Sequence, residues 1–144
     1  KTIVSVIQDL YNGEVKAYQI SRSQNQDLIL KTLKKAINPN EDLSKLLIHS
    51  DQGILYQSPK YRNYLKKSSF VQSMSAKGNA YDNAVVESFF GTLKCETIYL
   101  QKVKSLSDLI KTIDEYIYWY NHHRIKLTLG GYSPIQFRLM NQQI

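Results

Sequence analysis

Two acidic residues, Asp51 and Glu87, have the residue type and the setting that divalent-metal chemistry requires. Asp51 follows the apolar run at 46–49, which predicts a strand, and ligands of open α/β sheets bind beyond the carboxyl ends of strands. Glu87 lies in a predicted helix, where Asn83 and Lys94 fall within about 40° of it at about 100° per residue. Carboxylates on two separate elements suit Mg²⁺, which takes oxygen ligands. A pair of such ions can activate an attacking oxygen and stabilise the leaving one.

Spacing alone leaves other interpretations of both acids open. The run Asp51-Gln52-Gly53 also fits a polar turn after a strand, and Glu87 also fits a solvated helix position. The chain has 12 acidic residues, so many pairs can be drawn. Two features favour a functional Glu87: its helical stripe is mostly uncharged, and small residues such as Ala84 and Gly91 beside it would let a helix pack closely.

An α/β pattern surrounds the two acids. Strands are predicted over residues 2–10, 14–20, 45–49 and 69–74, and helices over 23–37, 58–67, 79–97, 106–120 and onward from Ser133-Pro134. Asn12-Gly13 predicts a two-residue hairpin turn between the first two strands. The order β-β-α-β-α-β-α-α-α indicates one mixed α/β domain over residues 1–144, in which a hairpin is followed by strands joined through helical crossovers.

The composition favours an anionic partner. The 144 residues include 19 Lys and Arg against 12 Asp and Glu, a formal charge of +7, and the pI is near 9.4. Nucleic acid is the commonest such partner, with a membrane surface or plain solubility as alternatives. No run approaches the ~20 apolar residues of a membrane span. The single cysteine, Cys95, excludes an internal disulfide and a cysteine-based zinc finger, and it fits a reducing, intracellular setting.

Motifs in four stretches extend the argument beyond the two acids. In chain order they are SVIQDLYNGEVKAY (5–18), HSDQGILYQS (49–58), SMSAKGNAYDNAVVESFFGTLKCE (73–96) and YNHHRIKLTLGGYSPIQF (120–137). Together they resemble the transposases of the retroviral-integrase superfamily, in particular the bacterial insertion-sequence transposases of the IS-three family. In that family a Tyr-Asn-x-x-Arg run also leads into a Ser-Pro helix. The resemblance covers essentially the whole chain.

The resemblance implies a fold, an activity and a site. The fold would be ribonuclease-H-like, a mixed five-stranded sheet flanked by helices. The activity would be DNA cleavage and strand transfer on two Mg²⁺ or Mn²⁺ ions, without a covalent protein–DNA intermediate. Asp51 matches the second and Glu87 the third acid of the family's Asp-Asp-Glu triad. The implied partners are transposon ends, target DNA and further copies of the chain, in the bacterial cytoplasm at the nucleoid.

The first acid of the triad has no match in this chain. In the family it lies on the first strand, upstream of the hairpin, and this chain begins at the second strand. The resemblance therefore implies that the first strand is missing, that the chain alone binds metal poorly and is inactive, and that its sheet has an exposed edge. Asp9 matches a different position, the strand end before the turn, so we expect it to shape the hairpin.

Four residues are candidates for binding DNA. Lys77 precedes the Glu87 helix, where backbone N–H groups and the helix dipole favour phosphate, and Asn83 and Lys94 share the stripe of Glu87. Arg124 belongs to a second basic cluster with two histidines, whose adjacent positions make a shared metal improbable. A solvated surface charge is the alternative for each lysine. The aromatic run at 116–120 fits packing better than base stacking, because its spacing is that of a helix face.

Two rival functions keep the same fold. The first is a remnant that binds DNA or partner subunits without catalysis, and the second is a ribonuclease-H-type hydrolase of RNA–DNA hybrids. The motif at 120–137 disfavours the second rival.

Overall fold

The computed structural model of the chain describes residues 2–37, 47–50, 54–67, 71–74, 84–98 and 103–142. Its contacts divide into two compact units, each considered separately below. The first contains Lys1–Ile7 and Ala17–Ala84, and the second contains Gln8–Lys16 and Val85–Ile144. The element order is the predicted one: two strands, a helix, a strand, a helix, a strand and then three helices. The mixed α/β class is therefore confirmed.

A hairpin opens the chain. Strand β1, Ile3–Gln8, pairs with β2, Val15–Ser21. The connection is longer than the predicted two-residue turn at Asn12-Gly13, which was wrong. The backbone N–H of Asp9 donates to Glu14 O and that of Gly13 donates to Asp9 O, both at 2.8 Å. The side chain of Asp9 accepts from the N–H of Tyr11 at 2.9 Å, so Asp9 shapes the turn as predicted.

A parallel strand pair belongs to the first unit. Strand β3, Leu47–Ser50, pairs with β4, Val71–Met74, and Leu47 faces Val71. A parallel pair needs a crossover connection, which here contains a 3₁₀ turn, Ile54–Gln57, and helix α2, Pro59–Lys67. Within the described residues the strands form two two-stranded sheets, and the five strands implied by the resemblance are not all among them.

The core of the first unit lies between helices α1 and α2. Helix α1, Gln26–Ala36, begins at Asn25, whose side chain accepts from Leu28 N. Leucine and isoleucine side chains of α1 pack against one tyrosine and one leucine of α2. The buried cluster is Ile29, Leu30, Leu33, Tyr61 and Leu65. Burial of this kind is the main source of stability for a short amphipathic helix.

The described residues of the second unit form three α-helices. Helix α3, Ala84–Leu93, continues into a π-helical turn, Lys94–Ile98. Helix α4 is Leu106–His122, and helix α5 is Pro134–Asn141. Serines begin both later helices: Ser105 caps α4, and Ser133 forms a capping box with Gln136 at the start of α5. A regular α-helix was predicted through residue 97, so the widened turn at its end is a correction.

Candidate functional site

Helix α3 presents Glu87 on its open side. The side chain is exposed, and no described residue donates a hydrogen bond to its carboxylate. Phe89, by contrast, is 1% exposed, and Leu93 is 3% exposed. At about 100° per residue these two side chains lie about 160° and 120° around the helix from Glu87. The packed side of α3 therefore faces away from Glu87.

Two further predictions concern the same helix. Lys94 is exposed like Glu87, which agrees with the predicted shared stripe. The expectation that Gly91 allows close packing was wrong. Gly91 is exposed, and a Cβ built on it would meet no atom of the described residues within 4 Å.

Three predicted site residues, Asp51, Lys77 and Asn83, lie outside the described residues. Strand β3 ends at Ser50, immediately before Asp51 in the sequence. The prediction that this acid follows a strand is therefore consistent with the described part of the chain. The roles of all three residues stay predictions.

Arg124 is paired with a carboxylate that the sequence reasoning missed. Its Nε lies 3.2 Å from Oε1 and 3.1 Å from Oε2 of Glu96, and a terminal guanidinium nitrogen lies 2.8 Å from Oε1. The hydroxyl of Tyr116 donates to Oε2 of Glu96 at 2.6 Å. Arginine binds carboxylates in this forked way with a defined orientation. The role of Arg124 in DNA binding stays untested, and the structure shows its guanidinium engaged within the protein.

The electrostatics of this cluster favour its charged form. The hydrogen bonds from Arg124 hold the pKa of Glu96 below its usual value; partial burial opposes this shift, and the hydrogen bond from Tyr116 adds to it. Burial, followed by the hydrogen bond to Glu96, raises the pKa of Tyr116 far above its usual value. The hydrogen bonds to Glu96 likewise raise the pKa of Arg124. At neutral pH the cluster is a carboxylate, a guanidinium and a neutral phenol.

Tyr120 joins α3 to the region after α4. Its ring meets Phe89 edge to face, with centroids 5.0 Å apart. The guanidinium carbon of Arg124 lies 5.7 Å and the ammonium of Lys126 lies 5.1 Å from the centroid of the same ring. Tyr116 and Tyr120 are buried, as the packing interpretation predicts, but Trp119 of the same run is 43% exposed.

The motif at 120–137, together with Arg138 directly after it, also holds the tip of the hairpin. Asn121 accepts from Val15 N at 2.9 Å and donates to Val15 O at 3.0 Å. Glu14, which is buried, accepts from Arg138 Nε at 2.8 Å. The side chain of Asn121 thus satisfies both the N–H and the C=O of Val15, which would otherwise need a strand partner.

The rest of the hairpin tip fits closely against the same motif. Asn12 is buried and donates to Pro134 O at 2.9 Å. Gly13 has φ +79°, and a Cβ there would lie 2.5 Å from Nζ of Lys126. The left-handed backbone conformation favours glycine at this position, whereas the close contact is with the flexible end of the Lys126 side chain, which can move aside. The sequence signal for these residues was present in the quoted motifs, but their partners are more than 100 positions away.

Other candidate chemistries find little support. Within the described ranges, no group of three or more His, Cys, Asp or Glu residues is arranged to hold a metal ion. The ring of His122 stacks on Tyr118 with centroids 4.2 Å apart, and Cys95 is exposed with a free thiol. None of the described helices has the length and apolar character needed to cross a membrane.

Two protein-family models with the same description, integrase core domain, match successive parts of the chain. One model of the integrase core domain matches residues 1–80, and another matches residues 87–142.

Two relatives illustrate the similarity in sequence. An uncharacterized transposase-like protein of Haemophilus influenzae is 44% identical over 138 residues, which are 96% of this chain and 63% of that protein. The transposase InsF for insertion sequence IS3A of Escherichia coli strain K12 is 35% identical over 139 residues, which are 96% of this chain and 48% of that protein. The chain thus spans 63% and 48% of the length of these two relatives.

A solved structure defines the fold. The catalytic core domain of HTLV-2 integrase, solved with magnesium in a dimeric form, superposes with a TM-score of 0.68 at 19% identity. The match covers 90% of this chain and 79% of that chain. The predicted ribonuclease-H-like fold, which integrase cores have, is confirmed.

Proposed function

Because the chain belongs to the integrase core domain family, we propose that it forms most of the catalytic core of a DNA transposase. Its reaction is divalent-metal-dependent cleavage of DNA followed by strand transfer. Transposase names among its relatives support this proposal, and its net charge of +7 suits a DNA partner. The observation that carries it is the open carboxylate of Glu87 within a family motif.

Glu87 fits the role of a metal ligand. Its carboxylate is exposed and accepts no hydrogen bond from the described residues, so its oxygens are available to a hard cation. Asp51 takes the second position by its motif, HSDQG, directly after β3. Asp51 and Glu87 would hold Mg²⁺ or Mn²⁺, which would supply activation of the attacking oxygen and stabilisation of the leaving one. The magnesium in the HTLV-2 integrase core supports this choice of ion.

A third carboxylate completes the proposed site in the full-length protein. No acid of this chain matches the first position of the triad. Asp9 accepts from Tyr11 N within the hairpin turn, which assigns it a structural task. We expect the first acid to come from the rest of the full-length protein and the 144-residue chain to be inactive by itself.

The basic residues near Glu87 supply the proposed DNA contacts. Lys94 is exposed, and at about 100° per residue it lies about 20° around the helix from Glu87. Lys77 and Asn83 precede α3 in the sequence. A cation beside a metal-bound phosphate neutralises charge and positions the backbone. The substrates would be transposon ends and target DNA, bound by an assembly of several copies in the bacterial cytoplasm.

Substitution of the two acids tests the proposal. In the full-length protein, Asp51→Asn and Glu87→Gln should each lower Mg²⁺-dependent strand transfer by about 10³-fold or more. Urea unfolding of Glu87→Gln should match that of the wild type, because an exposed side chain contributes little to stability. Glu115→Gln is the matched control, since Glu115 is an exposed carboxylate on α4, and it should retain full activity.

Two results would contradict the proposal. Retention of strand transfer by both acid variants would remove Asp51 and Glu87 from the site. Cleavage of RNA–DNA hybrids in preference to insertion-end DNA would point to a ribonuclease-H-type hydrolase instead. The 144-residue chain serves as the negative control for the assay.

A further inference from the structure

We propose that Glu96 and Arg124 are positioning residues that fix the rotation and axial position of the helix bearing Glu87. The inference rests on the proposed role of Glu87 as a metal ligand. It assigns Arg124 to the support of the site, through Glu96, and not to a contact with DNA.

The attachment of α3 to α4 lies on the side away from Glu87. Phe89 and Leu93 are buried there, and Phe89 meets Tyr120. Glu96 lies nine positions after Glu87, which is about two and a half turns, so its side chain leaves the helix on roughly the opposite face. Apolar contacts and the ion pair therefore hold one face of the helix while Glu87 occupies the other.

The apolar contacts and the ion pair restrict different motions. Phe89 of α3 packs on Tyr120 of α4, but apolar burial is non-directional and tolerates sliding and rotation. The guanidinium fork of Arg124 binds both oxygens of Glu96 and so specifies an orientation. Tyr116 adds a third donor from α4. Glu96 is thereby held in direction as well as in distance.

The widened turn at Lys94–Ile98 contributes to this attachment. A π-helical turn changes the direction of the side chains that follow it relative to a regular helix. Glu96 lies within this turn, and the hydroxyl of Thr97 donates to Leu93 O across it. Thr97 is buried, so the turn is a packed feature and not a frayed helix end.

Small rotations of α3 matter because metal ligands need accurate placement. A helix with its side chains has a radius of about 5–6 Å, so a rotation of about 10° moves a carboxylate at its rim by about 1 Å. Misplacement of about 1 Å can lower the rate of a positioned reaction by about 10²-fold. Loss of the ion pair thus alters catalysis without removing any group from the metal.

Arg124→Lys and Glu96→Gln in the full-length protein test the inference. Lysine at position 124 keeps the positive charge but loses the paired guanidinium donors. Glutamine at position 96 keeps the shape of the side chain but loses its negative charge. Each variant should need about 10-fold more Mg²⁺ for half-maximal strand transfer and lose about 10- to 100-fold in maximal rate. The rise in unfolding midpoint on adding Mn²⁺ should shrink in both, while DNA affinity without divalent metal stays unchanged. Glu115→Gln is the matched control and should behave as wild type.

The double variant and a DNA titration decide the outcome. If the pair acts as one unit, Glu96→Gln combined with Arg124→Lys costs no more than either single change. Additive losses would overturn the inference. A second result would also overturn the inference. In it, Arg124→Gln lowers DNA affinity and reduces the slope of log affinity against log salt concentration by about 1, while Glu96→Gln leaves the Mg²⁺ dependence of strand transfer unchanged.

Failure of the inference and failure of the proposed function give different results. An active Glu87→Gln variant would contradict the proposed function, whatever the Glu96 and Arg124 variants show. The positioning role alone would be contradicted by a different result. In that result Glu87→Gln is inactive, but Glu96→Gln and Arg124→Lys keep the wild-type Mg²⁺ dependence.

Discussion

Glu87 and Glu96 lie on one helical segment, but their surroundings are opposite. Glu87 is exposed and accepts no hydrogen bond from the described residues. Glu96 accepts hydrogen bonds from Arg124 and Tyr116, and these hold its pKa below the usual value. The same residue type thus serves two purposes. A carboxylate whose oxygens are already occupied supports the structure, and one that no described residue binds is the better candidate for a ligand.

The two signature regions of the second unit differ in the same way. Lys94, on the same helical segment as Glu87, is exposed. In the motif at 120–137, by contrast, two polar side chains are bound within the protein: Asn121 to Val15, and Arg124 to Glu96. We infer that the first region serves contact with a ligand and that the second holds the hairpin tip and α3 in place.

The largest expected effect on stability is at the buried face of α3. Phe89→Ala should lower the free energy of unfolding by about 3–5 kcal/mol, because it removes a fully buried aromatic side chain and leaves a cavity. Val85→Ala is the matched control, since Val85 is 45% exposed on the same helix, and it should cost about 0.5 kcal/mol or less. Urea denaturation measures both. Equal losses would mean that the two faces do not differ in packing.

A smaller effect is expected on the pH dependence of stability. The folded-state pKa of Glu96 lies below its usual value of 4.5, so its contribution is fully present above about pH 4.5 and is lost as the pH falls through the lowered folded-state pKa. The stability gap between the wild type and Glu96→Gln should therefore narrow from pH 6 to pH 3. Solvent screens part of this gap, because the side chain is 34% exposed.

Urea unfolding midpoints at a series of pH values provide the measurement for Glu96. Glu115→Gln again serves as the control, because its partner Lys111 lies 4.0 Å away and both side chains are largely exposed. The difference in unfolding midpoint between Glu115→Gln and the wild type should stay near zero at every pH. A gap for Glu96→Gln that stayed constant to pH 3 would show that the ion pair with Arg124 does not contribute to stability.

The smallest expected effect is at Lys94. Lys94→Gln should weaken DNA binding modestly and reduce the slope of log affinity against log salt by about 1, because one phosphate contact is lost. The free energy of unfolding should change by no more than about 0.5 kcal/mol. Lys111→Gln, an exposed lysine on α4, is the control. If both substitutions reduced the slope equally, Lys94 would have no special position on DNA.

Local patterns predicted the elements of the chain well, and the reason is physical. Serine before proline at Ser58 and Ser133 marks helix starts that the structure confirms, because a capping side chain satisfies backbone groups a few residues away. The hairpin connection was predicted less well. Asn12-Gly13 favours a tight turn in isolation, but Asn12 instead bonds to Pro134, a partner that no local pattern reveals.

By itself the sequence determined the order of elements, the family and the residues that belong to its motifs, because these depend on residue type and short-range spacing. Only the tertiary structure decided which polar side chains described in the second unit are paired with distant partners. Glu96 and Arg124 are 28 positions apart, and Asn121 and Val15 are 106 apart. Such contacts depend on how helices pack against each other, which residue type and short-range spacing do not specify.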